Sequence, residues 1–190
     1  STLKTKGIGG AFALAGLIIV IVKLNILPEM GNISPEKFQV FNPMFIVLMT
    51  PVIVGMFALL NKRGKEPSSP AKIGIGMLIT AIAYVIMIFA SIGLAPVYSL
   101  DGGMSSMTVS PFFLISTYFT LTIAELHLSP MGLSFVSKVA PPKMKGLLMG
   151  GWFGATAIGN YLAGFVGRFY QEWELWQFFL LLIVCASLAA

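Results

Sequence analysis

One carboxylate stands where a carboxylate is expensive. Glu125 is flanked by Ile123, Ala124 and Leu126, near the middle of an apolar run. Placing an acid there costs on the order of 3 kcal/mol even on lenient insertion scales. Burial raises a carboxyl pKa and a nearby cation lowers it. A group held between those influences can load and release a proton near neutral pH, and it can bind an ammonium group. The bland alternative is a glutamate snorkelling to the interface from a helix end. Ser129 follows four residues later, on the same helical face. Pro130 removes one helix hydrogen bond and invites a bend. Gly132 lies seven residues from Glu125, on a similar face. Carboxylate, hydroxyl, kink and glycine together predict a cavity-lining hinge, against the plainer reading of a tolerated proline in a packed membrane helix.

A second group of residues lies downstream. Gly146, Gly150 and Gly154 repeat at four, and Gly159, Ala163 and Gly167 do so after a phase shift. Such small-residue stripes let helices approach closely, which is chiefly a packing signal. Trp152 sits among them, where an indole either fills a gap or lines a pocket. Thr156 and Asn160 continue at spacing four and give this face polar character. Upstream, Gln39, Asn42 and Pro43 open another apolar run. A free helix N-terminus there could hold a polar or anionic group, although asparagine is also a good N-cap.

Other chemistry finds little support. Gly74-Ile75-Gly76 lacks the third glycine and the preceding strand of a dinucleotide loop. One Cys185 and one His127 argue against a Cys/His metal site and a disulfide framework. His127 with Ser129 or Ser134 evokes an intramembrane serine protease. All three share one helix, where nucleophile and base do not face each other. His127 is two residues from Glu125 and points elsewhere, as a packed or interfacial histidine.

The elements that must position these residues are membrane helices. The 190 residues are 57% hydrophobic and 10% charged, against about 25% charged in soluble domains. Six apolar segments are expected, at about 8–27, 43–60, 73–97, 111–139, 146–169 and 176–190. Backbone groups in hydrocarbon must be satisfied internally, so the segments are predicted as helices; they do not alternate as barrel strands would. The fold class is an all-α polytopic membrane protein in a single membrane domain. The net charge of +5 resides in short loops and points away from nucleic acid. Nine basic residues (Lys4, Lys6, Lys62, Arg63, Lys65, Lys72, Lys138, Lys143, Lys145) fall on one side and three (Lys23, Lys37, Arg168) on the other. The richer side is cytoplasmic by the positive-inside rule. Tyr170, Trp173 and Trp176 mark the outer boundary as an aromatic belt. The chain starts without methionine and ends in an apolar run, which suggests a piece of something longer.

The stretch Glu125-Leu-His-Leu-Ser-Pro-Met-Gly-Leu-Ser, then Gly-Leu-Leu-Met-Gly-Gly-Trp-Phe, then Ala-Ile-Gly-Asn-Tyr-Leu-Ala-Gly164 closely resembles the tenth and eleventh helices of the proton-dependent oligopeptide transporter family. That family lies within the major facilitator superfamily. Phe38-Gln-Val-Phe-Asn-Pro-Met-Phe-Ile46 resembles the start of its eighth helix. The resemblance implies the C-terminal helical half of a symporter of di- and tripeptides. Its coupling ion would be the proton, with no other cofactor, and its place a multi-pass position in the bacterial inner membrane. The missing N-terminal half would be its partner.

The resemblance also implies roles. Glu125 would couple protons and bind the peptide amino terminus. Asn42 would help hold that terminus, in place of a simple cap. Trp152 would line the central cavity, and Ser129 would lie one turn below the glutamate. Leu133 and Met149 would form the cytoplasmic gate. Relatives that carry nitrate or glycosides make another small solute the alternative, and an intramembrane enzyme is the more distant one. One departure is visible: the first segment has no acid in its core, where the family's seventh helix carries one. It would then be a linker helix, with the seventh missing near Lys23 to Asn25.

Overall fold

A computed structural model describes residues 38–100 and 109–190. The first apolar segment, the proposed join near Lys23 and the loop holding Gly102, Gly103, Ser105 and Ser106 lie outside the described residues. The chain divides into two compact units, residues 1–65 and 66–190.

In the first unit, α1 spans Phe41–Lys62. Pro43 falls in its first turn, where a missing N–H costs nothing, whereas Pro51 lies inside it. Lys62 in the last turn suits the negative end of the helix dipole. Gly64 then takes a left-handed conformation, φ 64°, and turns the chain away.

The second unit opens with α2, Ser69–Ser91. The Ser68 hydroxyl accepts from the Ala71 backbone N–H, and Pro70 sets the first turn. Lys72 is buried in that first turn, against the helix dipole, and pairs with the half-buried Glu66 carboxylate just before the helix. The expected apolar segment ran to residue 97, but the helix stops at Ser91. Gly93 adopts φ 83° and Pro96 follows, so the chain leaves the helix and re-forms only as a short 3-10 turn, Val97–Ser99.

The next helix, α3, covers Pro111–Val139. Its 29 residues make it about 43 Å long at ~1.5 Å per residue, longer than the roughly 30 Å hydrocarbon layer. It starts at a proline and ends before Pro141-Pro142, which disfavours helix in the residue ahead. After a 3-10 turn at Pro142–Met144 comes α4, Lys145–Val166, then the single-turn α5, Phe169–Glu172, and α6, Leu175–Ala189.

Within this unit α2 is the central helix, with α3 and α6 packed against it. The α2–α6 pair is antiparallel. A Cβ at Gly74 would lie 2.8 Å from the Ala190 carbonyl oxygen, and the Tyr84 ring stacks on Phe179 at 6.5 Å. Moving forward along α2 by 84 − 74 = 10 residues therefore moves back along α6 by 190 − 179 = 11. Small residues contribute to the α2–α3 contact. Gly76 meets Ala124, His127 and Leu128, and Ala83 and Ala124 are buried. In contrast, α4 exposes every residue except Met149, Trp152 and Val166.

Among the described residues, α1, α2 and α3 are long and apolar enough to cross a membrane. Glycine, Asn160 and Tyr161 dilute the apolar character of α4 despite its 22 residues, and α6 is a shorter apolar helix.

Candidate solute and proton site

Glu125 stands at the midpoint of α3, fourteen residues from Pro111 and fourteen from Val139. That puts it about 21 Å from either end at ~1.5 Å per residue. It is half-buried. A glutamate that snorkels from a helix end would sit near that end, and Glu125 does not.

The two sides of α3 differ. Thr117, Ala124 and His127 are buried, and Ala124 and His127 meet α2 at Gly76. Residues two apart are rotated by about 200° on a helix, so Glu125 projects from the side opposite His127. Seven residues bring the helix almost full circle, within about 20°, so Glu125 and Gly132 share a stripe. Ser129 lies close to it and is exposed.

The glycine of that stripe is where α4 arrives. A Cβ placed on Gly132 would overlap Cη2 and Cζ2 of the Trp152 indole and come within 3.3 Å of Cζ3. The outer edge of the indole thus rests directly on the α3 backbone. Gly132 is 139 − 132 = 7 residues before the end of α3, and Trp152 is 152 − 145 = 7 residues after the start of α4. The pairing is what an antiparallel hairpin requires. Met149 is three residues before Trp152 and shares its covered face, and Leu133 adjoins Gly132; both are half-buried. Asn42 belongs to the other unit. It is the second residue of α1 and half-buried, while Val40 takes the N-cap position, so Asn42 does not cap the helix.

Polar side chains on α3 are largely satisfied by their own helix. Ser116 and Thr117 donate to the Phe113 carbonyl at 2.9 and 2.8 Å, Thr120 to Ser116 at 2.8 Å, and Thr122 to Tyr118 at 2.8 Å. His127 Nδ1 lies 2.8 Å from the Ile123 carbonyl, which fixes its proton on that nitrogen. Buried and bonded to its own backbone, His127 is a packed histidine. Pro130 offers no N–H to the Leu126 carbonyl, which loses its usual helix donor on the way from Glu125 to Gly132.

Two features were not visible in the sequence. Tyr98, after α2, donates its hydroxyl to Glu174 Oε1 at 2.9 Å, tying that segment to the one before α6. The hydrogen bond to the carboxylate, with lesser help from desolvation and charge, pushes the Tyr98 phenol above its usual value. The seating of Trp152 on Gly132 is the other. The glycine was readable as part of the Glu125 face, but the partner it admits was not. Among the described residues no cluster of three metal-ligating side chains occurs.

Residues 15–177 match the sequence profile of the POT family. The chain belongs to that family. A relative from Yersinia enterocolitica, the peptide transporter YePEPT, is 38% identical over 130 residues, which is 68% of this chain and 24% of the relative. Dipeptide and tripeptide permease A of Escherichia coli is 32% identical over 136 residues, 70% of this chain and 25% of the permease. The chain thus spans about a quarter of the length of these POT-family relatives. A glutamate-to-glutamine mutant of a peptide transporter POT, crystallised with sulfate, superposes with a TM-score of 0.67 at 28% identity, covering 96% of this chain and 36% of that one. A second such crystal structure gives 0.67 at 26% identity, over 94% of this chain and 36% of that one. The helical fold is that of this transporter family.

Proposed function

We propose that this chain forms one wall of a proton-coupled symporter of di- and tripeptides working by alternating access. The observation that carries the reading is the position of Glu125: mid-helix, half-buried, on the stripe that ends at the Gly132–Trp152 contact. Family membership and the relatives' names supply the substrate class.

The physical basis of coupling is the difference between the two states of one carboxyl group. Protonated, Glu125 has a hydrogen to give and can bond a backbone carbonyl one turn back, as Thr120 and Thr122 do. Ionised, it only accepts, and in a low-dielectric site it needs a cation. A peptide ammonium is such a cation. Peptide binding and the protonation state of Glu125 are then linked. For both to move in the same direction, the proton that the ammonium displaces is held by another group of the transporter until peptide and proton are released on the same side. Asn42 is a further polar residue proposed to take part in peptide binding. Trp152 shapes a side-chain pocket, and Ser129 is a polar step towards the cytoplasm. Leu133 and Met149 form a dry closure below the cavity that blocks leak of solute and protons. An N-terminal helical half supplies the other wall, and the two halves rock about a midplane site. The protein works as a transporter rather than an enzyme, resides in the bacterial inner membrane, and uses the proton as coupling ion with no bound cofactor.

The test uses full-length protein in liposomes. With one proton per peptide and an imposed potential of ~100 mV, the driving force is about 2.3 kcal/mol, equivalent to roughly 50-fold accumulation. Glu125→Gln should lose that accumulation while retaining peptide exchange without a gradient. Undiminished uphill uptake by the variant would remove Glu125 from the mechanism. Absence of dipeptide uptake by the unaltered protein would remove the peptide assignment.

A further inference from the structure

We infer that Gly132 is a positioning residue for the Trp152 indole and thereby sets the width of the side-chain pocket that Trp152 shapes. The inference rests on the peptide-transport reading and deepens it.

The argument is steric. Trp152 has two side-chain torsions and a rigid bicyclic ring. Its ring edge, Cη2 and Cζ2, occupies the space where any other residue at 132 would carry its Cβ. The notch belongs to this one position. Gly146, Gly150, Gly151, Gly154, Gly159 and Gly164 have no described atom within 4 Å of a built Cβ, so the glycines of α4 do not seat the ring. Gly132 is buried and Trp152 half-buried, so the indole shows one part of its surface outward while its edge is fixed against α3. A methyl at 132 forces the ring off its seat, because the obstacle on the other side is helix backbone and cannot retreat. The ring can only turn or slide away from α3, along the stripe it shares with Ser129 and Glu125, and the pocket it bounds contracts.

The experiment measures competition by two dipeptides, Ala-Ala and Phe-Ala, for proton-driven uptake by the full-length protein in liposomes. Gly132→Ala should lower the apparent affinity for Phe-Ala about tenfold more than for Ala-Ala, with surface reconstitution level as control. In a Trp152→Ala background the same glycine substitution should leave the Phe-Ala to Ala-Ala ratio unchanged, because no ring remains to displace. Equal losses for both peptides, or an identical effect of Gly132→Ala with and without the indole, would overturn the proposal. Should Gly132→Ala fail to fold, Gly132→Ala with Trp152→Ala must fold if the ring is the obstacle; failure of both also overturns it. An unaltered protein that takes up neither dipeptide refutes the peptide reading instead, so the two failures are distinct.

Discussion

At Gly76 α2 packs directly on the helix that holds Glu125, and Gly76→Ala tests that packing. The added Cβ would lie 2.9 Å from Leu128 Cγ, 3.1 Å from the Ala124 carbonyl oxygen and 3.1 Å from His127 Cβ. Leu128 can change rotamer. The carbonyl and the His127 Cβ are fixed to the α3 backbone, so α3 itself must move by a few tenths of an ångström. Overpacking of this kind costs about 1–3 kcal/mol. Against it stands the gain of about 1 kcal/mol from replacing glycine by alanine inside a helix. The net expectation is a loss of about 1 kcal/mol, which lowers the unfolding midpoint by roughly a few °C. The assay is thermal unfolding of full-length protein in detergent at one fixed scan rate, since such transitions depend on rate. Combining Gly76→Ala with Leu128→Ala should cost less than the sum, by about 0.5 kcal/mol or more, because the two sites touch. A single variant more stable than the parent would refute the reasoning: propensity alone would then decide, and the helices could not be in contact at Gly76.

Other perturbations follow from the same coordinates. Glu66→Gln should destabilise the start of α2 by about 1–3 kcal/mol, the range for a charge-assisted hydrogen bond, because it weakens the neutralisation of a buried Lys72; Glu66→Gln with Lys72→Met should recover most of it in the same melt. Tyr98→Phe should change stability little, the contact being exposed, and its signature is in alkaline titration. The folded Tyr98 value is raised above 10.0, so the contact's contribution is complete below the unfolded value and is lost as pH rises through the folded one. Tyrosinate absorbance, parent minus variant, should therefore show one phenol ionising later than a free tyrosine; earlier ionisation contradicts the Glu174 contact. The losses of accumulation in Glu125→Gln and of peptide discrimination in Gly132→Ala complete the set.

The helical architecture was legible because lipid leaves few alternatives. Long apolar blocks cannot be anything but helices once a barrel pattern is missing, and prolines and glycines at 43, 64, 93, 111 and 141 punctuate them. The end of α2 was misplaced at residue 97 because Ile92, Leu94, Ala95 and Val97 continue the apolar run past Gly93. Hydropathy does not register a left-handed glycine, and the backbone does. The simple cap that the residues alone suggested for Asn42, set aside on the resemblance, is also not what the helix start shows. Asparagine favours the N-cap position, yet the helix begins one turn-element earlier with Val40 as its cap and no side-chain bond there. Cost alone singled out Glu125 in the sequence, and the structure places it half-buried at the midpoint of α3. The seat of its neighbouring indole was not, since a glycine at 132 and a tryptophan at 152 lie twenty residues apart and neither spacing nor composition pairs them.

On the proposed function, helix α3 must meet two demands that any membrane solute path poses. A wall must be dry and tightly packed on one side and chemically capable on the other, with one backbone serving both. Ala124 and the self-bonded His127 give α3 a buried side that packs against Gly76 of α2. About 200° round the cylinder, Glu125 has no hydroxyl's recourse to its own carbonyls once ionised. On the proposed function, its charged form meets the proton or cation that the path delivers. If the two sides were not separated, a carboxylate next to Gly76 would face a helix it could not satisfy. Moving the acid by two residues tests that separation. Glu125→Leu with His127→Glu places the carboxylate against α2, where His127 is now buried. That variant should fold poorly or lose coupling entirely, in contrast to the folded, exchange-competent Glu125→Gln. Retention of both stability and accumulation by the exchanged pair would show that the two faces of α3 are interchangeable, and the assignment of one as wall and the other as path would fail.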